Sequence, residues 1–360
     1  MRQLILKYKE DYSSDISLTE ASADDMVFGD ALSLIHSWQR DQQNFVFQTS
    51  GSTGVPKTIS VPRWKMELSA NRTIKALQLD ENQTALLCMN PSFIGGAMMI
   101  VRALTAKMNL LIVAPAKNPL QFVNEHFDFT AMVPMQLVEI LNARNRRTLE
   151  LLNKSQNILL GGAAVSASLE NQVSRLKPTI WSTYGMTETI SHIALRRLNG
   201  DQTSSDFHAL DDIKISLGLS GNLRVKDKIT DDKWLETNDI VELTSKSSFK
   251  WLGRLDNVIN TGGIKVFAES VERAITPTVE SLNISNRYFV SGLKDPTYGE
   301  MVTLFLESES EVDEEKLLND ILANSGLSKY ETPKRIVILK DFPETASGKI
   351  DKQKIIQHIS

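Results

Sequence analysis

The sequence has almost none of the residues that cross-link a protein or form cysteine-based metal sites. Its 360 residues include a single cysteine, Cys88. One cysteine excludes an intramolecular disulfide and a zinc site built from several cysteines. Cys88 lies in the apolar run 85–89. We therefore interpret it as a buried strand residue rather than a nucleophile, because a buried thiol stays protonated.

Long apolar runs and an excess of positive charge are also missing. No run approaches the roughly 18 apolar residues that span a membrane, and residues 1–7 become charged again before a signal-peptide segment can form. We therefore expect a cytoplasmic protein without a membrane span. The sequence has 40 Lys and Arg against 44 Asp and Glu, which gives a net charge of -4. This balance argues against general nucleic-acid binding, which needs a basic surface.

The length and the changing pattern of the chain indicate an α/β fold with two domains. From about residue 45 to residue 184, short apolar runs alternate with helical patterns, which predicts βαβ units and a mainly parallel sheet buried on both faces. A small antiparallel β region should follow, up to Trp251. We expect a large N-terminal domain of residues 1–254 and a small α+β C-terminal domain of residues 255–360.

Hydrophobic periodicity also predicts the individual elements. In the first part the predicted strands are 45–47, 84–89, 110–113, 130–133 and 158–160, and the predicted helices are 66–79, 96–106 and 136–142. In the last part the predicted helices are 269–276 and 314–324, and the predicted strands are 288–293, 302–307 and 335–339. Ligands of parallel sheets bind at the loops beyond the carboxyl ends of the strands, where the glycine-rich segments of this sequence fall.

A loop rich in glycine and hydroxyl groups follows the first of these strands. It reads Thr49, Ser50, Gly51, Ser52, Thr53, Gly54, Val55, Pro56 and Lys57. Glycines let backbone N–H groups close around phosphate oxygens, hydroxyls add donors, and Lys57 adds a positive charge. Val55 and Pro56 separate the glycine from the lysine, which excludes a Walker loop. Taken alone, the segment could also be an ordinary Gly/Ser turn.

Four further segments carry residues that suit a nucleotide. Residues 182–189 contain a tyrosine before a glycine, which can stack on a planar ring, and a Thr–Glu pair, which can hold a phosphate oxygen and Mg²⁺. Residues 237–239 end in an aspartate that could accept hydrogen bonds from ribose. Residues 253–265 and 344–350 complete the set. Each segment also has an ordinary interpretation as a strand end or a turn.

Together and in this order, the five segments resemble the adenylate-forming superfamily of acyl-CoA ligases, luciferases and peptide-synthetase adenylation domains. The resemblance extends from about Phe45 to the C-terminus, and five ordered motifs are far more specific than any one of them. It implies an enzyme that activates a carboxylic acid with ATP as an acyl-adenylate. Only 48 residues precede Thr49, fewer than is usual in the family, so we expect a shortened N-terminal domain.

The resemblance implies a role for each matching residue toward ATP. The loop 49–57 should handle the β- and γ-phosphates, Tyr184 should stack on the adenine, and Asp239 and Arg254 should hold the ribose. The resemblance also implies further cofactor-binding residues. Beside the adenine these are Gly161, Gly162 and Ala163, and next to the tyrosine they are Gly185 and Met186. Gly263 should lie at the pantetheine tunnel of CoA.

The catalytic groups also come from the resemblance. Lys349 matches the catalytic lysine, Thr187 should touch the α-phosphate, and Glu188 should bind Mg²⁺. Asp256 matches the hinge about which the mobile C-terminal domain turns. The chemistry fits these residue types, because a carboxylate that attacks a phosphate brings two anions together, and Mg²⁺ and a lysine neutralise the charge that grows.

The acyl site should draw on residues 90–102. Many relatives have an aromatic–histidine pair near Phe93, where this chain has Ile94 instead of the histidine. Peptide-synthetase domains carry an aspartate here that pairs with the substrate ammonium. No acidic residue lies between Asn90 and Arg102, which argues against an α-amino acid substrate.

A basic residue in this segment suggests a second anionic group on the substrate. Arg102 is similar in position to an arginine of the o-succinylbenzoate–CoA ligases of menaquinone synthesis, and a guanidinium fork suits a carboxylate. The alternative is an arginine on a helix surface. Residues 189–196 also resemble that ligase group, in which His192 either faces the acyl pocket or is a satisfied polar residue.

We therefore predict a ligase that joins ATP, CoA and 2-succinylbenzoate to give the CoA thioester, AMP and pyrophosphate. Two alternatives keep the chemistry: a CoA ligase for another aromatic or short acid, and an enzyme that passes the acyl group to a carrier protein. A third, from another class, is a nucleotide-binding regulator without catalysis. The presence of Lys57, Glu188, Asp239, Arg254 and Lys349 disfavours it. The sequence contains no signal for the oligomeric state.

Overall fold

The structure, a computed structural model, describes residues 3–6, 23–48, 58–281, 287–344 and 350–359. Its helices are α1 (Ala23–Gln39), α2 (Arg63–Leu77), α3 (Ile94–Ala106), α4 (Pro134–Asn142), α5 (Arg146–Lys154), α6 (Ala167–Val173), α7 (Ala268–Ser281), α8 (Glu314–Asn324) and α9 (Lys352–Ile359).

The strands of the first part are β1 (Gln3–Leu6), β2 (Asn44–Gln48), β3 (Thr58–Pro62), β4 (Thr84–Leu87), β5 (Asn109–Val113), β6 (Phe129–Met132), β7 (Asn157–Leu160), β8 (Thr179–Gly185) and β9 (His192–Arg197). Those that follow are β10 (Phe207–Ala209), β11 (Lys214–Leu217), β12 (Asn222–Lys226), β13 (Leu235–Leu243), β14 (Ser248–Arg254), β15 (Val258–Thr261), β16 (Ile264–Phe267), β17 (Tyr288–Asp295), β18 (Gly299–Glu307) and β19 (Arg335–Leu339).

The predicted parallel sheet is confirmed. Strands β5, β4, β6, β7 and β8 lie side by side and pair in parallel. Successive residues of β4 and its extension alternate between two cores: Ala85 and Leu87 pack with α1, α2 and α3, whereas Leu86 and Cys88 pack with α4, α5 and α6. Burial on both faces explains why these strands read as continuous apolar runs rather than alternating ones.

Cys88 is fully buried, as predicted. Its Sγ lies 3.7 Å from Thr130 Oγ1 and 3.5 Å from the carbonyl oxygen of Ala131. Burial raises the pKa of the thiol to about 11, so it stays protonated at neutral pH. Among the described residues, no helix is both long and apolar enough to cross a membrane.

The prediction for the first strand is right about its type and wrong about its sheet. Strand β2 does not join the parallel sheet but forms a separate antiparallel hairpin with β3, from Asn44 opposite Pro62 to Gln48 opposite Thr58. The sequence contains no sign of this, because an apolar strand reads alike in either sheet. Helices α1, α5, α6 and α9 were also not predicted.

The antiparallel region continues the main sheet instead of standing apart from it. Strand β9 pairs antiparallel with β8, and the order then runs through β10, β14, β13, β12 and β11. A second sheet contains β16, β15, β18, β17 and β19 and packs with α7 and α8. This α+β unit follows Arg254, where we expect the second domain to begin. The division into two domains stays a prediction.

Candidate active site

A cavity of about 1390 Å³ opens beyond the carboxyl ends of β7 and β8. Its walls come from β3, from residues 162–165, from residues 182–188 and from residues 235–239. Parallel strands bring their carboxyl ends to one edge of the sheet, which is why segments far apart in sequence meet there. The cavity lies where the motifs predicted a ligand.

Two predicted groups of residues lie outside the described part of the chain. These are the phosphate loop, with Thr49, Ser50, Gly51, Ser52, Thr53, Gly54 and Lys57, and the predicted catalytic residue Lys349. Their roles stay predictions. Strand β3, the first described element after the loop, lines the cavity with Ile59, Ser60 and Val61.

Tyr184 and Asp239, predicted to hold adenine and ribose, contact each other in the cavity wall. The Tyr184 hydroxyl donates a 2.7 Å hydrogen bond to Asp239 Oδ2, and both side chains are buried. The indole Nε1 of Trp251 donates to the other carboxylate oxygen, Oδ1, at 3.0 Å. Burial and the neighbouring Asp239 raise the pKa of Tyr184, so its hydroxyl stays a donor. Sequence reasoning missed Trp251, which the β13–β14 pairing brings close to Asp239.

Arg254 lies directly opposite Asp239 in the pairing of β13 with β14. Its Nη1 is 3.9 Å from Asp239 Oδ1, and its Nη2 donates to Asp256 Oδ2 at 3.0 Å. Asn238 Nδ2 reaches the same oxygen of Asp256 at 3.5 Å. The predicted ribose residues and the predicted hinge residue are thus joined by hydrogen bonds and charge.

The segment predicted to line the adenine needs its glycines for two different reasons. A Cβ on Gly161 would lie 2.6 Å from Thr183 Oγ1, and this hydroxyl is held by a 3.0 Å hydrogen bond to the carbonyl of Leu160. Gly162 has a φ of +81°, which favours glycine. Gly162 and Ala163 line the cavity, as expected for a segment that passes close to a flat ring.

A short 3₁₀ turn at Thr187–Thr189 carries the two predicted phosphate and metal residues. Thr187 and the exposed Glu188 both line the cavity, as do Gly185 and Met186. Among the described residues, no group of three or more His, Cys, Asp and Glu side chains could hold a metal ion. Glu188 is the one carboxylate of this turn, and its role toward Mg²⁺ stays a prediction.

The turn ends in a strained residue that the sequence did not reveal. Ile190 has φ 68° and ψ -48°, and the Ser191 N–H donates to the carbonyl of Thr189 at 2.7 Å. This geometry is a γ-turn with positive φ, which is rare and costly for a β-branched residue. Ile190 is buried and lines the cavity. The strain therefore lies between the predicted metal residue and the predicted acyl residues.

Arg102 and His192 lie in one buried polar ring with two residues that were not predicted, Thr73 and Ser191. Arg102 Nε donates to Thr73 Oγ1 at 3.2 Å, and Arg102 Nη2 donates to Ser191 Oγ at 2.7 Å. His192 Nε2 is 3.0 Å from Thr73 Oγ1, and its Nδ1 is 3.4 Å from Ser191 Oγ. Helices α2 and α3 and the start of β9 thus meet at these four side chains.

Arg102 is only 2% exposed, which excludes the alternative of a helix-surface arginine. None of the ion pairs among the described residues involves its guanidinium, and burial lowers its pKa to about 9. Burial and the neighbouring arginine also lower the pKa of His192 well below its ordinary 6.5, so the imidazole is neutral at pH 7. The ring therefore holds a buried cation that lacks an anion from the described protein.

The structure does not place Arg102 or His192 on the cavity surface. The lining residue nearest to His192 in sequence is Ile190. The next residue, Ser191, accepts the hydrogen bond from Arg102. The ring thus lies behind the wall, one residue away from the lining. Sequence reasoning found two of its members by resemblance, whereas Thr73 and Ser191 are common polar residues without a motif.

Gly263, predicted at the pantetheine tunnel, lies in a tight turn between β15 and β16. Gly262 and Gly263 have φ values of +56° and +81°, which explains the glycine pair. The partly exposed rings of Tyr298 and Tyr330 flank Gly262, within 4 Å of where a Cβ would stand. This turn does not line the cavity, whereas Arg273 of α7 does.

Comparison with known proteins agrees with this geometry. The family model described as AMP-binding enzyme matches residues 4–211, which is more than half of the chain. A solved structure from Dyadobacter fermentans, described as an acyl-CoA synthetase (AMP-forming)/AMP-acid ligase II-like protein, is 34% identical. The match covers 100% of both chains, with a TM-score of 0.67.

Two curated relatives act on different acids. A 2-succinylbenzoate–CoA ligase of Listeria monocytogenes is 24% identical over 89% of this chain and 71% of its own length. A 4-chlorobenzoate–CoA ligase of an Arthrobacter species is also 24% identical, over 92% of this chain and 69% of its own length. Both names describe CoA ligases of aromatic acids, and identity does not separate the two.

Proposed function

We propose a function from the family of this chain, which belongs to the AMP-binding enzymes, as the motifs predicted. The chain would activate a carboxylic acid with ATP, releasing pyrophosphate, and then pass the acyl group from the adenylate to the thiol of CoA, releasing AMP. The observation that carries this proposal is the joining of Tyr184, Asp239 and Arg254 beside Thr187 and Glu188 in one cavity.

The acid that we propose is 2-succinylbenzoate, an aromatic dicarboxylate. Its support is the buried guanidinium of Arg102, which no carboxylate neutralises within the described chain. Burying an unpaired charge is costly, and a carboxylate that accepts two guanidinium hydrogen bonds would remove that cost. The second carboxylate would replace the Ser191 hydroxyl on Nη2, after Ile190 and Ser191 move aside. The name of the Listeria relative agrees with this acid.

The remaining ring members would then select the charge of the substrate. His192 is neutral because its pKa lies well below 6.5, so it offers a hydrogen bond without a second positive charge. Thr73 Oγ1 bridges His192 and Arg102 and fixes both orientations. The four side chains of the ring thus suit an anionic group, since Arg102 is their only charged member.

We propose ATP and Mg²⁺ as the partners of the first step. Glu188 would hold Mg²⁺, which when bound would supply positive charge beside the phosphates. Thr187 would orient the α-phosphate, Asp239 would accept from the ribose, and Lys349 would stabilise the transition state. The position of Thr187, Glu188 and Asp239 in the lining of one cavity supports this proposal.

CoA is the acceptor that we propose for the second step. The support is the glycine turn at Gly262 and Gly263, where a Cβ built on Gly263 would meet no atom within 4 Å, so that open space lies beside the backbone. The flanking rings of Tyr298 and Tyr330 offer flat surfaces for a base. A carrier protein remains the alternative acceptor, and it would need its own docking surface.

The test is a pyrophosphate-release screen over carboxylic acids with and without CoA. We expect turnover with 2-succinylbenzoate, weaker turnover with 4-chlorobenzoate and benzoate, and none with α-amino acids. Turnover only with monocarboxylates would replace 2-succinylbenzoate by another aromatic acid. Tight ATP binding without pyrophosphate release for any acid would favour a non-catalytic regulator.

Substitution of Arg102 separates the acids further. We expect Arg102→Met to raise KM for 2-succinylbenzoate by about 10- to 100-fold, the size of one lost charge-assisted pair, and to leave KM for benzoate within threefold. Arg144→Met, at an exposed position after α4, is the matched control. An equal loss for both acids would show that Arg102 supports the fold and does not select the second carboxylate.

A further inference from the structure

A second cationic part of the cavity lies away from the turn that is predicted to hold the α-phosphate and Mg²⁺. Arg196 on β9 lines the cavity and lies opposite Ser182 in the pairing with β8, two residues before Tyr184. Thr187 and Glu188 follow Tyr184. Because a strand advances by about 3.3 Å per residue, Arg196 lies on the far side of Tyr184 from that turn. The proposed function gives Arg196 no role.

The guanidinium of Arg196 is satisfied on only part of its edge. Its Nη2 donates a 2.5 Å hydrogen bond to Glu170 Oε1, and Glu170 also lines the cavity. Its Cζ lies 5.5 Å from the ring centroid of Phe207, another lining residue. Its Nε is buried and has no hydrogen-bond partner within the described chain. A buried N–H without an acceptor is costly, so the environment of Arg196 favours a further anion.

Helix α7 brings a second guanidinium to the same part of the cavity. Arg273 lines the cavity, and its Cζ lies 6.0 Å from the ring centroid of Trp251. Among the described residues, no hydrogen bond or ion pair reaches its guanidinium. Arg273 is an exposed residue, but partial burial of its guanidinium and the positive charge of Arg196 both lower its pKa. The two guanidinium groups therefore lie close enough to repel each other.

Charge and space both leave this part of the cavity open to an anion. Two arginines and one glutamate, Glu170, face it, which leaves one positive charge in excess. The other carboxylate that acts on Arg273, Glu269, is bonded to the backbone of Arg254 and to Asn257. The cavity volume of about 1390 Å³ exceeds the roughly 300 to 1,000 Å³ of a site for one small ligand. It therefore leaves room for a second ligand beside the nucleotide.

We propose that Arg196 and Arg273 form an anion subsite of the cavity that binds a phosphate group other than those of ATP. The subsite goes beyond the proposed function and rests on it only for the place of the ATP phosphates. The backbone N–H of Ser204 donates to the carbonyl of Arg197, so the hydroxyls of residues 203–205, which line the cavity, lie near Arg196. Two guanidinium groups and these hydroxyls offer more donors than the two oxygens of a carboxylate use, whereas a phosphate presents three or four oxygens. The phosphate is free or belongs to a second ligand, such as the 3′-phosphate of CoA.

The test measures phosphate binding to the whole chain as the rise in unfolding temperature that a ligand of the folded state causes. Inorganic phosphate is titrated at constant ionic strength, with Mg²⁺ and α,β-methylene-ATP present to fill the nucleotide site. Acetate is titrated in parallel. Arg273→Met removes one guanidinium of the subsite, and Arg175→Met, at an exposed position after α6, is the matched control.

We expect Arg273→Met to raise the apparent Kd for phosphate about tenfold, the effect of one lost hydrogen bond to a charged group, and Arg175→Met to leave it within about twofold. Glu170→Gln removes the competing charge and keeps an acceptor for Arg196, so it should lower this Kd by at least about threefold. A structural defect would weaken binding in both variants, so the opposite changes identify the subsite. Equal Kd values in wild type and Arg273→Met, or acetate that binds as tightly as phosphate, would overturn the proposal.

Comparison of CoA with dephospho-CoA identifies the source of the phosphate. If it is the 3′-phosphate of CoA, the wild type binds CoA about tenfold more tightly than dephospho-CoA, and Arg273→Met removes this difference. Equal binding of the two assigns the subsite to free phosphate. If α,β-methylene-ATP does not bind, the proposed function fails, and phosphate titration of Arg273→Met and Lys57→Met then decides on the subsite alone. Binding that Lys57→Met weakens and Arg273→Met does not would overturn it.

Discussion

The Tyr184 hydroxyl donates its hydrogen bond to the carboxylate of Asp239, 55 positions further along the chain. The predicted adenine and ribose residues are therefore one unit before any nucleotide binds. A carboxylate can accept about four hydrogen bonds, and Tyr184 and Trp251 use two of them on Asp239. Arg254 Nη1 lies 3.9 Å from Oδ1, and we expect the remaining acceptor capacity of Asp239 to serve the ribose hydroxyls.

The contact between Tyr184 and Asp239 leads to a prediction about Asp239. We expect Asp239→Asn to raise KM for ATP by about tenfold or more, because hydrogen bonds to a charged acceptor are lost. In the wild type, 2′-deoxy-ATP should be the poorer substrate, and this preference for ATP should disappear in the variant. Asp211→Asn, an exposed aspartate paired with Lys75, is the control. A preference that persists unchanged would remove ribose from the role of Asp239.

Lys349 should matter in only one of the two half-reactions. We expect Lys349→Ala to lower the rate of acyl-adenylate formation by at least about 100-fold, the scale for one lost electrostatic group, and to leave thioester formation from supplied adenylate within threefold. Lys354→Ala, an exposed lysine of α9, is the matched control. Equal losses in both half-reactions would contradict the role of Lys349 as the adenylation lysine.

His192 should make the stability of the protein depend on pH. Its pKa in the folded protein is depressed well below 6.5 by burial and Arg102, so the unfolded chain binds the proton more readily. The contribution of His192 to the free energy of unfolding is therefore fully present above pH 6.5. It is lost as the pH falls toward the pKa of the folded protein, by up to about 1.4 kcal/mol per pH unit.

Chemical denaturation at a series of pH values from about 7.5 to about 5 checks this expectation, because the range spans the ordinary pKa of histidine. The free energy of unfolding of the wild type should fall more steeply below pH 6.5 than that of His192→Gln. His126→Gln, a largely exposed histidine beside Asp128, serves as the control. Parallel curves for wild type and His192→Gln would show that His192 does not carry this dependence.

Gly185 marks a close approach of two strands. A Cβ there would lie 2.4 Å from the carbonyl oxygen of Ser191 and 2.5 Å from His192 Cα, and neither backbone atom can yield easily. We expect Gly185→Ala to cost about 1 to 3 kcal/mol of stability, as overpacking does, and to lower the adenylation rate by displacing Thr187 and Glu188.

Gly29→Ala is the matched control for this substitution. Gly29 lies inside α1 with open space where a Cβ would stand, so alanine should stabilise the protein by about 0.5 to 1 kcal/mol. Thermal unfolding and pyrophosphate release measure both variants. Wild-type stability and activity in Gly185→Ala would contradict the steric argument.

The parallel sheet could be predicted because its strands carry their own signal. Residues 110–113 and 158–160 are apolar at every position and lie in strands of about the predicted extent. Helix α2 ends two residues earlier than predicted, because Gln78 takes a left-handed conformation. The hairpin of β2 and β3 was not predictable in the same way, since the sequence of an apolar strand does not specify which strand it pairs with.

The sequence by itself determined the family and the order of the motifs, because residues such as Tyr184, Glu188 and Asp239 lie in short segments whose spacing carries the information. Only the tertiary structure decided what surrounds them. Arg102 reads as an ordinary arginine until α2, α3 and β9 bury it with Thr73, Ser191 and His192. Burial, register and the contacts between residues far apart in sequence depend on how the elements pack, and no local pattern encodes them.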